Sequence, residues 1–295
     1  MTGGAVPIVT GGVSRAGALE AVARRLSSSG VEEARFDART LLLAAAGIGP
    51  TELVLNPDAP LGEDAARLLS AYAARRAGRE PVSRILATRG FWTLDLQVAP
   101  LVLDPRADTE TLVELSLSLL SGRRHEPLRL LDLGSGSGAI ICALLSELPQ
   151  AYGVAVDLSP AACALTQANL AQCGHAHRAS VVRGRWADAI GSRFDLVVSN
   201  PPYIKSEDIG GLDPEVRLHD PALALDGGAD GLECYREIIG SLGRIVVPGG
   251  LGLVEAGAGQ AQSIRVLFAG AGLGVVATAR DAGGHERAVA ARLDA

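Results

Sequence analysis

Lysine is almost absent from this sequence. Lysine and arginine together number 27, and Lys205 is the only lysine. Chemistry that requires a Schiff base with lysine therefore has one candidate.

The four cysteines are scattered without a Cys-x-x-Cys pair, a pattern typical of small buried residues in a reducing compartment. Cys173, His175 and His177 lie close together, but three ligands from one short loop rarely complete a tetrahedral shell, so we predict no metal site.

Long apolar runs and excess positive charge are also missing. No apolar stretch reaches the roughly 18 residues of a membrane-spanning helix, and residues 1–12 lack the features of a signal peptide. The formal net charge is −6. Because affinity for nucleic acid rests largely on neutralising phosphates, this balance argues against a broad nucleic-acid-binding surface. We expect a cytoplasmic protein, a monomer, with no membrane contact and no direct nucleic-acid partner.

The pattern of apolar residues divides the chain. From Ser14 to about Arg79 apolar residues recur at helical spacing, which predicts a small helical bundle. Residues from Trp92 onward alternate between apolar and polar, as in a hairpin strand. From Leu128, short apolar strands alternate with helices, which predicts an α/β fold with a mainly parallel sheet covered on both faces. The predicted strands are residues 130–133, 154–156, 180–182, 196–198, 251–254, 275–277 and 288–290. The predicted domains are residues 1–82, a hairpin linker over 83–105, and residues 106–295.

A rigid polar corner follows the strand that ends near Val198. It consists of Asn200, Pro201, Pro202 and Tyr203. Two consecutive prolines fix the backbone and remove two donors. This rigidity directs the Asn200 side-chain oxygen and the Pro201 carbonyl the same way, beside the Tyr203 ring. Two parallel acceptors suit a planar NH2 group, such as an amide or the amine of a base.

A glycine-rich turn follows the first strand of the predicted sheet. It begins at Asp132 and opens a helix, and Asp157 ends the next strand, where a carboxylate can accept hydrogen bonds from both ribose hydroxyls. The predicted cofactor contacts in the turn are Gly134, Ser135, Gly136, Ser137 and Gly138. The turn alone fits either a nucleoside-sulfonium cofactor or a nicotinamide dinucleotide. The corner at Asn200 favours the nucleoside-sulfonium cofactor, because hydride transfer does not require a pair of acceptors for an NH2 group.

Two further positions are predicted near this site. Trp186 lies between the third and fourth strands and is a candidate to contact an adenine ring. Asp108 or Thr109 is expected to cap the helix that runs to about Leu120. The loop at Pro105 and Arg106 precedes that helix and is a candidate to close over a ligand.

Together these motifs resemble a known family. The glycine turn, Asp157 and the Asn-Pro-Pro-Tyr corner are similar to those of class I S-adenosylmethionine-dependent methyltransferases of the protein-glutamine branch. Within that branch the chain most resembles the release factor glutamine methyltransferases. The further motifs that support this are Arg75 to Val82, Phe91 and Trp92, Pro105 to Glu110, Asp213 to Arg217, and Ala222 to Arg236.

The resemblance implies a function and a fold. It implies a doubly wound, seven-stranded class I methyltransferase sheet joined by a β-hairpin to an N-terminal substrate-recognition domain. The implied cofactor is S-adenosyl-L-methionine, held by the glycine turn, Asp157, Trp186 and Asn200. The implied partners are class 1 peptide chain release factors, and the implied reaction is N5-methylation of the glutamine in their Gly-Gly-Gln motif.

Three other functions remain open from the sequence. The Asn-Pro-Pro-Tyr corner also suits methylation of adenine or cytosine amines in nucleic acid. A sister activity modifies a glutamine of a ribosomal protein. The third alternative is a catalytically silent binding module.

Overall fold

The computed structural model describes residues 8–294 of the chain. The chain divides into two compact units, and the division falls between Ala87 and Thr88. The sequence-based division was placed after residue 82, with a separate linker to residue 105. In the structure the hairpin that follows Ala87 groups with the C-terminal unit. Within residues 8–294, no helix is both long and apolar enough to cross a membrane.

The N-terminal unit is the predicted helical bundle. Its helices are α1 (Arg15–Ser28), α2 (Ala34–Ala46), α3 (Pro50–Leu55), α4 (Glu63–Ala77) and α5 (Val82–Leu86). The helical spacing of apolar residues places Val22, Leu26, Leu41 and Leu69 in one buried core, which holds the short helices together.

The C-terminal unit alternates strands and helices. Its strands are β1 (Thr88–Phe91), β2 (Leu94–Gln97), β3 (Arg129–Leu133), β4 (Tyr152–Asp157), β5 (Ala179–Arg183), β6 (Phe194–Ser199), β7 (Val246–Glu255), β8 (Leu273–Arg280) and β9 (Glu286–Leu293). Its helices are α6 (Glu110–Leu119), α7 (Ala139–Glu147), α8 (Pro160–Gln172), α9 (Pro214–His219), α10 (Glu233–Ile245) and α11 (Ala261–Gly270). Strands β1 and β2 form an antiparallel hairpin.

The other strands form one sheet in the order β5-β4-β3-β6-β7-β9-β8. The pairs from β5 to β7 are parallel, and β9 runs antiparallel to both β7 and β8. The predicted seven-stranded, mostly parallel sheet is confirmed. From β3 the chain builds outward to β5, then returns to place β6 on the other side of β3. In such sheets ligands bind at the carboxyl ends of the strands, where the order reverses.

Both faces of the sheet are covered. Alternate residues of one strand join different cores: Leu130 packs with α7, and Leu131 packs with α10. Because successive strand residues point to opposite faces, the strands read as continuous apolar runs. The rigid sheet fixes the positions of the loops at its carboxyl edge.

Candidate active site

Loops that follow β3, β4 and β6 surround a cavity of about 260 Å³ at the carboxyl edge of the sheet. Most of the predicted site residues line this cavity: Gly134, Ser135, Gly136, Ser137, Asp157, Trp186, Asn200 and Pro202. Gly138, Pro201 and Tyr203 are not among its lining residues. Sequence motifs that lie far apart in the chain therefore meet at one site.

The glycine turn requires residues without side chains. Gly134, Gly136 and Gly138 have φ angles of 75°, 55° and 79°, a region that only glycine adopts readily. The backbone N–H groups of Gly134 and Ser135 donate to the Val156 carbonyl at 2.8 and 3.0 Å. A Cβ built on Gly136 meets no atom within 4 Å. The backbone thus leaves open space for a ligand above Gly136.

Helix α8 supports the turn through two polar side chains. Thr166 donates its hydroxyl proton to the Gly136 carbonyl at 3.0 Å. The fully buried Asn169 donates from Nδ2 to the carbonyls of Ser137 (2.9 Å) and Gln97 (3.0 Å). Its Oδ1 accepts from the Gln97 N–H at 2.8 Å. Asn169 therefore ties the hairpin to the glycine turn. The sequence signal for this pair was two polar residues three apart on an otherwise apolar helix face.

Asp157 is held by backbone donors at the end of β4. Its Oδ2 accepts from the Gly136 N–H at 2.8 Å, and its Oδ1 accepts from the Ser159 N–H at 2.8 Å. Burial raises the pKa of Asp157, and these N–H groups oppose the rise. Each carboxylate oxygen keeps acceptor capacity after one such bond. Its predicted contact with ribose hydroxyls stays a prediction.

Asp132 lies beneath the turn and is fully buried. Neither carboxylate oxygen makes a well-formed hydrogen bond in the part of the chain that the structure describes, although the Ile141 backbone N–H interacts with the carboxylate and favours its charged form. Burial, assisted by the charge of Asp157, raises the pKa of Asp132 to about 7.

Trp186 packs against the glycine turn. It adopts a positive φ of 43°, and its ring lies 3.0 Å from where a Cβ on Gly134 would sit. Its indole Nε1 is buried with no hydrogen-bond partner in residues 8–294. Buried donors normally find an acceptor, so this donor is available to a ligand in the cavity. Contact with an adenine ring stays a prediction.

The Asn200 side chain is fixed by a residue that precedes α6. Asn200 Nδ2 donates to Thr109 Oγ1 at 3.0 Å. Of the two predicted caps, Asp108 and Thr109, it is Thr109 that occupies the N-cap position of α6, but its side chain makes no capping hydrogen bond. Because Nδ2 is bound to Thr109, Oδ1 is the end of the amide left to accept a hydrogen bond from a ligand.

Two hydrogen bonds and one close backbone contact fix the backbone of the corner. The Ser199 hydroxyl donates to the Leu133 carbonyl at 2.6 Å, and Gln260 Nε2 donates to the Tyr203 carbonyl at 3.0 Å. A Cβ on Gly227 would lie 2.9 Å from the Pro202 carbonyl oxygen. The corner is therefore rigid because of its neighbours as well as its prolines.

Glu255 is a functional candidate that the sequence analysis missed. It ends β7, next to β6, and is 2% exposed. Burial raises its pKa to about 7, while its interactions with Thr109 and Asn200 favour the charged form. The available signal was a carboxylate at the carboxyl end of a buried strand.

The loop predicted to close over a ligand does line the cavity. Pro105 and Arg106 are among the lining residues, and the Arg106 guanidinium pairs with the buried carboxylate of Asp220. Asp220 follows α9, so this ion pair links two segments at the cavity wall.

Known proteins share both parts of the chain. Residues 17–86 match the family model of the PrmC N-terminal domain, and residues 112–211 match that of the methyltransferase small domain. A release factor glutamine methyltransferase of Caulobacter vibrioides is 45% identical over 266 residues, covering 90% of this chain and 91% of that protein. The chain belongs to the release factor glutamine methyltransferase family. The resemblance inferred from its motifs is confirmed.

A second relative supports the family, and a solved structure supports the fold. The release factor glutamine methyltransferase of Bradyrhizobium diazoefficiens is 44% identical over 284 residues, covering 95% of each chain. The solved structure of a methyltransferase from Pyrococcus furiosus superposes with a TM-score of 0.51 at 14% identity, covering 77% of this chain and 100% of that one. The second similarity establishes the fold.

Proposed function

We propose that this chain transfers a methyl group from S-adenosyl-L-methionine to N5 of the glutamine in the Gly-Gly-Gln motif of class 1 peptide chain release factors. The observation that carries this proposal is the fixed Asn200 amide beside the glycine turn. Its oxygen and the neighbouring Pro201 carbonyl suit the two hydrogens of a primary amide. Relatives across most of the chain length bear the name release factor glutamine methyltransferase.

The residues around the cavity fit the proposed cofactor. Gly136 leaves open space for a ligand, Asp157 offers acceptors for ribose hydroxyls, and Trp186 offers an unpartnered donor. The remaining proposed contacts are Gly134, Ser135, Ser137, Gly138 and Asn200. When bound, S-adenosyl-L-methionine supplies an electrophilic methyl group on a positively charged sulfur, which leaves as a neutral thioether.

The corner residues would activate a poor nucleophile. An amide nitrogen has a delocalised lone pair, so the site must orient that lone pair before it can form a bond to carbon. Asn200 Oδ1 and the Pro201 carbonyl would accept both amide hydrogens and stabilise the positive charge that grows on nitrogen. Pro202 and Tyr203 would keep this geometry rigid. The methylated nitrogen then gives up one proton, and no strong base is needed before transfer.

The three segments predicted from the sequence have separate proposed roles. We assign substrate recognition to residues 1–82, a linking role to the hairpin region 83–105, and cofactor binding and catalysis to residues 106–295. The residues that line the cavity all belong to the C-terminal unit, which supports placing cofactor binding and catalysis there.

Labelled methyl transfer to three substrates tests this function. The substrates are a class 1 release factor, the same factor with its Gly-Gly-Gln glutamine replaced, and unmethylated duplex DNA. We expect label on the unaltered factor alone. Label on DNA, on the altered factor, or on none of the three would refute the proposed substrate.

A further inference from the structure

The buried carboxylate of Glu255 is only partly satisfied by its neighbours. Its Oε2 is buried and makes no hydrogen bond within residues 8–294. Glu255 does not line the cavity, but Thr109 and Asn200, two of the residues with which its carboxylate interacts, do. A buried carboxylate with an unbonded oxygen is costly, and such groups concentrate at functional sites.

The contacts define a direction of hydrogen bonding. Asn200 Nδ2 donates to Thr109 Oγ1 at 3.0 Å, so the hydroxyl proton of Thr109 is free to point elsewhere. The Glu255 carboxylate, which only accepts when ionised, interacts with that hydroxyl. A chain that ends on a carboxylate polarises Asn200, because every N–H and O–H in it points toward the negative charge.

We propose that Glu255 is a positioning residue for methyl transfer: directly and through Thr109 it holds the Asn200 amide with its oxygen toward the substrate, and its negative charge favours the positive charge that grows on the substrate nitrogen. This inference rests on the proposed function. It assigns a role to a side chain that never touches the substrate. The effect falls on the transition state, because the nitrogen carries no positive charge before transfer.

Several other groups face the Glu255 carboxylate. Arg287 of β9 favours its ionised form, and Asp108, which precedes α6, opposes it. Burial raises the pKa of Tyr203 in the corner, and the nearby charge of Glu255 raises it further. Tyr235 of α10 donates its hydroxyl proton to the Glu255 backbone carbonyl at 2.9 Å. Arg287 is shared, since its Nε donates to Asp281 at 2.9 Å. Glu255 therefore has no exclusive counter-ion among the residues that the structure describes.

The charge gives the inference a pH signature. Burial raises the pKa of Glu255 to about 7, so the carboxylate is charged above that pH and neutral below it. Turnover by the wild-type protein should fall as the pH drops through about 7. Glu255→Gln keeps the shape and removes the charge. We expect this variant to lower kcat by about 10- to 100-fold at pH 8, with KM within about twofold. It should also lose the fall in turnover below about pH 7, which we call the acidic limb.

One control and a pair of Thr109 variants complete the experiment. Glu286→Gln removes a carboxylate that pairs with Arg265 and does not line the cavity, and it should keep both kcat and the acidic limb. Thr109→Val should lower kcat as Glu255→Gln does, and Thr109→Ser should restore it because the hydroxyl returns. If Glu255→Gln fails to fold, the two Thr109 variants test the proposal on their own.

The outcomes separate this inference from the proposed function. Wild-type transfer to the release factor glutamine is measured first. Absence of transfer would refute both the proposed function and the role of Glu255. Given wild-type transfer, a Glu255→Gln enzyme with normal kcat and an unchanged acidic limb would overturn the role of Glu255 alone. A Thr109→Val enzyme as active as Thr109→Ser would overturn it as well.

Discussion

Replacing Asn200 with alanine should slow methyl transfer and leave cofactor binding largely intact, because Asn200 is only one of several proposed cofactor contacts. The substitution removes Oδ1, the proposed acceptor for a substrate hydrogen, and Nδ2, which donates to Thr109 at 3.0 Å. Loss of one oriented transition-state contact typically lowers kcat by about 10² to 10³, which corresponds to about 2.7 to 4 kcal/mol. Asn200 takes no part in the hydrogen bonds described above for the glycine turn, so the turn should stay intact.

The assay for Asn200→Ala separates chemistry from binding. Single-turnover transfer to the release factor, at saturating cofactor, reports the chemical step, and calorimetry reports cofactor affinity. Asp157→Ala serves as the contrasting variant because Asp157 contacts the glycine turn and not Asn200. An Asn200→Ala protein that transfers methyl groups at the wild-type rate would refute the role of Asn200.

Three further predictions follow from the same geometry. Asp157→Ala should weaken cofactor binding by about 1 to 3 kcal/mol, because ligand hydroxyls and the Gly136 N–H lose an acceptor; calorimetry with unchanged affinity would contradict this. Gly138→Ala places a Cβ 2.9 Å from Thr166 Cγ2 at a φ of 79°, so urea unfolding should show a loss of about 1 to 3 kcal/mol. An unchanged midpoint would argue against that strain. The raised pKa of Asp132, about 7 against 3.8, makes the folded state bind its proton more tightly. Stability should therefore fall as the pH rises from about 4 to about 7, by up to about 1.4 kcal/mol per unit. Asp132→Asn should flatten this slope in urea titrations, and equal slopes would contradict the assignment.

The fold was predictable because its signal is local. Each predicted strand core lies within an observed strand, for example 196–198 within Phe194–Ser199. Continuous apolar runs between helices indicate that both faces of a sheet are buried. The cavity was predictable for a related reason, since parallel strands bring their carboxyl ends to one edge.

The polar contacts within the site were not predictable from the sequence. Thr109 precedes a helix, and local rules favour a capping role. Its partner, Asn200, lies 91 positions away, so only the folded sheet brings the two together. Glu255 was missed for the same reason, because its partners depend on β7 lying beside β6. Asn169 joins Ser137 to Gln97, which is 72 positions away.

The measurement that tests the central claim most directly is mass spectrometry of the release factor after incubation with this protein and S-adenosyl-L-methionine. Fragmentation of the peptide that contains Gly-Gly-Gln locates any added methyl group. We predict the mass increase of one methyl-for-hydrogen exchange on the side chain of that glutamine, and none when Asn200→Ala replaces the wild-type protein at the same short reaction time. An unmodified glutamine, or a methyl group on another residue, would contradict the account.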